Sequence, residues 1–316
     1  TNPSFPIPFS RPSPAAGIEF ARYFDFENVY QTKGVYTQMQ TTIYDRVHLL
    51  GGLRWAAINI DYIEHALPGS PKFVTDAEKV LPRAGIVVDL TKSLSLYSSY
   101  SEGMRWVGFS SAVSEPKPEF SRQFEVGAKF NLSSQLTGTV DYFEIVRDNV
   151  PITTSLGQAT LSQQTSKGVE VDLLWQPTRL LQVLASYGYT DVRFGDEFRG
   201  YNGEIIPAGN RVPYVPDHSG RLWVNYKLDD FALRGWSVGL GVYVSAGQYV
   251  DNANVYKTGA FHTVDAKFAY ETESFRAALN VKNLTGEEYW VPYTWLGGQV
   301  APNAPREVFG TISYKF

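Results

Sequence analysis

The sequence predicts an all-β, antiparallel fold whose strands are long enough to cross a bilayer. Three observations carry that prediction: hydrophobicity that alternates with a period of two, connections that are short and long in turn, and aromatic rings gathered at strand ends. Composition narrows the field first. The 316 residues hold 28 basic and 32 acidic side chains, a net charge of −4, so the basic surplus of a nucleic-acid binder is missing and no such partner is expected. The chain has no cysteine, which excludes disulfide frameworks, thiolate metal sites and cysteine nucleophiles. Charged residues make up only 19%, against about 25% in an average soluble domain, while 20 Tyr, 19 Phe and 7 Trp make up 15%. No apolar run approaches the roughly 18–20 residues of a membrane helix.

Thirteen segments alternate, near 30–42, 46–60, 82–90, 93–102, 119–131, 134–147, 160–175, 179–193, 217–228, 235–249, 262–271, 274–284 and 306–316. In QFEVGAKF, Phe124, Val126, Ala128 and Phe130 share one face and Gln123, Glu125, Gly127 and Lys129 the other. GRLWVNYKL sets Leu222, Val224, Tyr226 and Leu228 against Arg221, Trp223, Asn225 and Lys227. HTVDAKFAYE, FRAALNVK and the terminal VFGTISYKF repeat the pattern. Many of these segments run well beyond the usual strand of about 5–6 residues and match the roughly 9–11 that cross a bilayer at a tilt.

The connections near 43–45, 91–92, 132–133, 176–178, 229–234 and 272–273 are short. Those near 61–81, 103–118, 148–159, 194–216, 250–261 and 285–305 are long. This alternation is the asymmetry of an outer-membrane barrel, with short periplasmic turns and long outer loops. A soluble sandwich has no physical reason to sort loop length by parity. Tyr97, Tyr100, Phe130, Tyr142, Trp175, Tyr187, Tyr189, Tyr226, Phe268, Tyr270, Tyr314 and Phe316 fall near strand ends on the apolar face, as girdles at headgroup level do. The expected architecture is therefore an antiparallel transmembrane β-barrel. Thirteen is odd where a single-chain barrel is even. At roughly 24 residues per strand, a closed barrel of about 22 strands would need some nine more. The expected organisation is an outer-loop tail or partial strand over 1–29, then the C-terminal part of a barrel over 30–316.

Several stretches then resemble the TonB-dependent outer-membrane receptors, the ferric-siderophore branch in particular. They are GVYTQMQTTIYDRVHLLGGLRW (34–55), LPRAGIVVDLTKSLSLYSSYSEGM (81–104), KPEFSRQFEVGAKF (117–130) and TSKGVEVDLLWQP (165–177), followed by GNRVPYVPDHSGRLWVNYKL (209–228), FRAALNVKNLTGEEYW (275–290) and PREVFGTISYKF (305–316). Each is weak alone; their order and spacing are specific. The resemblance implies a bacterial outer-membrane protein that imports a ferric siderophore, with TonB–ExbB–ExbD acting through an N-terminal plug region that this chain lacks. Phe316, Tyr314 and Ile312 resemble the signature that the barrel-assembly machinery reads. Glu125, Lys129, Asp141, Glu170, Asp172, Arg221, Lys227, Asp265, Lys267, Arg276, Lys282 and Lys315 sit on the polar face, which would line a wet lumen, because charge against lipid would cost about 2–4 kcal/mol. Ligand would meet aromatic and polar residues of the outer loops: Trp106 and Phe109 in the second, Tyr201 and Arg211 in the fourth, Tyr249 and Tyr256 in the fifth. Tyr289, Trp290, Tyr293 and Trp295 in the sixth are the densest group. Rings would pack an apolar scaffold, and a guanidinium would meet a negative chelate.

No catalytic constellation stands out, so an enzyme is not expected. His48, His65, His218 and His262 lie far apart without metal spacing. No cofactor or protein-held metal is expected; iron would arrive already coordinated by its siderophore. Other readings are a passive porin or barrel adhesin without a plug, a soluble β-propeller or carbohydrate-binding enzyme, and, within the resembled family, a receptor for cobalamin, haem or a glycan.

Overall fold

The computed structural model describes residues 25–65, 69–70, 72–106, 117–155, 158–200, 202–293 and 298–316. Its strands are β1 (Phe26–Ile43), β2 (Val47–Glu64), β3 (Lys72–Thr91), β4 (Leu94–Arg105), β5 (Glu119–Ser133), β6 (Leu136–Ser155), β7 (Gln158–Trp175) and β8 (Leu181–Phe194). There follow β9 (Phe198–Arg199), β10 (Ile205–Ile206), β11 (His218–Lys227), β12 (Trp236–Ser245), β13 (Phe261–Glu271), β14 (Phe275–Lys282), β15 (Trp290–Tyr293), β16 (Gln299–Pro302) and β17 (Glu307–Tyr314). Thirteen of them form one antiparallel sheet in the order β1 to β8, then β11 to β14, then β17. Each of the thirteen expected segments is one of these strands. Among the described residues β1 pairs only with β2, and β17 only with β14, so the sheet is open and has two free edges.

Register turns the alternation into two faces. One row runs Leu136, Trp175, Val183, Val224, Leu240, Ala266, Val281 and Val308, across eight strands without a polar residue. This face is open: Leu240 is 51% exposed and Ile312 77%. Among the described residues no second layer covers it, as a sandwich core would require. On the opposite face, Ser95, Lys129, Thr139, Asp172, Ser186, Arg221, Tyr243 and Thr263 form an equally continuous row of polar groups. Of the twelve charged residues expected on the polar face, register places eleven on it; Lys315 lies past the end of β17. Room for large side chains there comes from glycine. The Trp223 ring lies against Gly239 and Gly241 of the neighbouring strand, where any added Cβ would collide with it.

At the short-turn end the connections are tight. Tyr44 and Asp45 both hold φ of 52°, and the Arg46 N–H bonds to the Ile43 carbonyl. These are the features of a type I′ hairpin, whose twist matches that of paired strands.

Three expectations need correction. The connections near 61–81 and 148–159 are not long loops, because β2 with β3 and β6 with β7 continue as paired ribbons nearly to their tips. Beyond the lipid one face of each ribbon packs inward, with Ile58 and Ile60 of β2 and Val150 and Ile152 of β6 buried. On β3 the exposed Asp76 and Glu78 interrupt the outward apolar row, so pairing persists while the alternation fades. Tyr97 is not on the apolar face: its hydroxyl donates to Glu125 at 2.7 Å, and its ring lies over Gly127 on the polar side. Finally, β17 ends at Tyr314, so Phe316 extends past the sheet, its ring edge-on to Tyr314 at 5.2 Å.

Candidate functional site

Above the membrane-crossing part of the sheet, the fourth and fifth long connections fold onto each other. Ile152, Phe194, Phe198 and Ile206 form a buried cluster against which Val212 and Ala253 pack, and Ile206 is wholly inaccessible. The Phe194 and Phe198 rings meet edge to face, centroids 4.9 Å apart. The short ribbon of β9 and β10 supplies two members of this cluster. Asn254, at φ 60°, ties the two connections together. Its side-chain oxygen accepts from the Arg211 N–H at 2.7 Å, and its amide donates to the Arg211 carbonyl at 2.9 Å. Asn210 donates across to the Asn252 carbonyl at 3.0 Å. The result is an outer cap with a core of its own.

Within this cap Arg211 and Lys257 are matched by carboxylates. Arg211 pairs with Asp217 and, at 3.5 Å, with Asp191. Lys257 reaches Asp217 at 3.4 Å and lies 5.2 Å from the centre of the Tyr249 ring. The structure therefore brings Arg211 and Tyr249 into one network, with the guanidinium engaged by protein carboxylates. Tyr256 stands apart at the cap surface, 67% exposed. Tyr201 and Phe109 lie outside the described residues, as does Trp295.

The sixth connection carries the small hairpin β15–β16. Trp290 and Tyr293 on it are exposed. Tyr289 is held: its N–H donates to Asn303 at 2.9 Å, and its ring stacks on Phe261 with centroids 3.7 Å apart and planes 5° apart. Burial pushes the Tyr289 phenol above its ordinary pKa. Phe261 is on the polar face, and Tyr243 lies 6.0 Å from it on the same face. Three rings thus continue the polar wall upward at this sector. Tyr243 and Phe261 were missed in sequence because each reads as ordinary strand alternation.

Trp106 belongs to another sector. It follows β4 and lines a cleft of about 420 Å³ with Asn28, Tyr30, Arg54, Ile58 and Met104. Deeper on the polar wall, a cleft of about 680 Å³ includes Lys129, Asp172, Ser186, Arg221 and Trp223. Among the described residues no group of three His, Asp or Glu could hold a metal ion.

An open, lipid-compatible sheet with one apolar and one polar face is the wall of a transmembrane barrel. The family model "TonB dependent receptor-like, beta-barrel" matches residues 2–284. The chain belongs to that family of outer-membrane β-barrel proteins. It is 26% identical over 307 residues to the ferrichrome outer membrane transporter/phage receptor of Escherichia coli K12, covering 92% of this chain and 39% of that protein. It is 27% identical over 279 residues to an uncharacterized TonB-dependent receptor of Haemophilus influenzae, covering 83% of this chain and 79% of that one. Its fold matches the crystal structure of the siderophore receptor PiuA from Acinetobacter baumannii with a TM-score of 0.77 at 22% identity, over 92% of this chain and 44% of that one. The chain thus spans about two-fifths of the length of the E. coli transporter.

Proposed function

We propose that this chain is the ligand-facing C-terminal barrel wall of a receptor that imports a ferric siderophore. The observation that carries this reading is the line of rings, Tyr243 tilted against Phe261 and Phe261 stacked on Tyr289, rising from the polar wall toward the outer hairpin. Planar rings fixed in advance can take an apolar chelate scaffold with little loss of side-chain freedom. Relatives named for ferrichrome and ferrioxamine B support the same ligand class. Iron would be cargo, coordinated by its chelator, so the wall need offer no metal ligands. Energy would come from TonB–ExbB–ExbD acting on a plug that packs against the polar face. In that role Glu125, Asp141, Glu170, Asp172 and Arg221 give the plug a wet, hydrogen-bonding surface.

The test is iron uptake. A strain lacking its own ferric-siderophore receptors would be supplied with the receptor that contains this chain, with and without TonB. The expected result is TonB-dependent accumulation of iron from at least one class among hydroxamates, catecholates and carboxylates. Failure with every class, alongside correct assembly in the outer membrane, would remove the iron assignment and leave cobalamin, haem or a glycan as the ligand.

A further inference from the structure

The lipid-facing surface changes character where it meets the outer connections. In the row Ala185, Leu222, Val242 and Val264 it is wholly apolar. Two residues further out the row runs Tyr187, Gly220, Val244 and His262, and the next sets His218 beside Tyr189. Tyrosine rings on this face mark the level of the lipid headgroups, so two imidazoles stand at that level on the outer side. Both are exposed. On β6 to β8 the same face just beyond Tyr189 is closed by ion pairs, Lys167 with Glu144 at 3.3 Å and Arg193 with Asp191 at 2.9 Å. Around the imidazoles the charge is different: Asp217, next to His218, is drawn to Arg211 and Lys257.

Between the two histidines lies a cleft of about 420 Å³, lined by Tyr187, His218, Val244, Ala246, Ala260 and His262, with no carboxylate in its wall. Gly220 leaves open the space between Tyr187 and Val244, and the two alanines keep the floor low. One imidazole is held in place. The Tyr187 hydroxyl meets His218 Nδ1 at 2.8 Å, and the Tyr189 ring lies 5.0 Å from the imidazole. A phenol is the better donor and a neutral imidazole nitrogen the better acceptor, so the hydroxyl donates and the ring carries its hydrogen on Nε2. His262 has no hydrogen-bond or ion-pair partner among the described residues. Two strand spacings and two residues of rise separate the backbones of the pair, about 12 Å, the span of a sugar-sized headgroup and too wide for a bare ion.

We propose that this cleft holds the phosphorylated headgroup of a lipid in the outer leaflet, with the His218 Nε2–H donating to a phosphate oxygen and His262 meeting the same headgroup from the other side. A phosphate suits N–H donors in a surface free of carboxylates. The acyl chains of such a lipid run down over Leu222, Val242 and Val264, a contact that a soluble phosphate cannot make. The site is on the reverse of β13 from Phe261, so it is independent of the ligand that the receptor carries.

The test uses the receptor that contains this chain, delipidated in detergent, with bound lipid counted by native mass spectrometry. The probes are bis-phosphorylated lipid A, the same glycolipid dephosphorylated, and inorganic phosphate. The parent is expected to hold one lipid A molecule more tightly than the rest, and to bind the dephosphorylated form about tenfold more weakly there. H218A/H262A is expected to weaken that site about tenfold, and Y187F, which releases the His218 ring, about threefold. If the double variant does not assemble, A246L fills the floor of the cleft with a side chain that lipid tolerates, and a loss of about tenfold supports the site. Unchanged affinity in H218A/H262A, or in A246L where the double variant fails, overturns the proposal. So does equal affinity of the parent for the two forms of the glycolipid. Displacement of lipid A by millimolar inorganic phosphate assigns the cleft to a soluble anion and overturns it equally.

Discussion

The membrane-crossing wall and the outer cap obey opposite rules in one chain. Along the wall, apolar side chains such as Leu222, Leu240 and Phe268 point outward, and polar ones such as Asp172 and Arg221 share the other face. In the cap, Ile152, Phe194, Phe198 and Ile206 are turned inward on one another, as in any water-soluble domain. Solvent is what differs. Lipid has no reason to expel a leucine, so the wall gains its order from paired backbone groups that cannot be left unmade in hydrocarbon. The cap sits in water and is held by burial.

The largest expected effect is at the centre of the cap. Ile206→Ala should cost the cap about 2–5 kcal/mol, as large-to-small core changes do. The check is limited proteolysis, which should open the segment around β9 and β10 while the barrel keeps its native electrophoretic mobility; loss of the barrel as well would abolish the contrast. Leu240→Arg comes next, at about 2–4 kcal/mol if the position is near the bilayer midplane. Urea titrations in lipid vesicles should show that loss, and Asn225→Arg on the polar face should show almost none. Equal penalties at the two positions would contradict the assignment of faces. Gly241→Val should then cost about 1–3 kcal/mol by displacing the Trp223 ring, read as a shift in tryptophan emission together with a lower unfolding midpoint. The smallest effect is in the cap's ion pairs. Lys257→Ala removes one exposed partner of Asp217 and should cost no more than about 1 kcal/mol, visible only as slightly faster amide exchange near Tyr249.

The same contrast explains what the sequence reveals. Lipid on one side and water on the other force a period of two, so the crossing part of every strand is legible, from Phe124–Phe130 to the terminal Ile312 and Tyr314. Where the ribbons of β2–β3 and β6–β7 leave the lipid, charged residues such as Asp76 and Glu78 replace the outward apolar row, and Phe73 to Leu81 and Val150 to Thr160 read as loop although Leu81, Val150 and Ile152 are buried. Tyr97 shows the limit at single residues. An aromatic ring suits either face, and only its register against Gly127 and Glu125 decides. In the candidate site, the crowding of rings at Tyr289 to Tyr293 is visible in the string. The partner that fixes Tyr289 is Phe261, 28 residues away, and strand alternation hides it. Arg211 reads as a free cation because Asp191 and Asp217 meet it only after the chain turns back on itself.

The two unpartnered borders of the sheet have a consequence of their own. Along β1, eighteen residues keep one flank of amide and carbonyl groups with no mate among the described residues, and along β17 eight do. Immersed in oil, each vacant group would exact several kilocalories per mole. The thirteen staves therefore reside in a bilayer only when further staves seal both seams, and those staves must fit a tall seam on one side and a low one on the other.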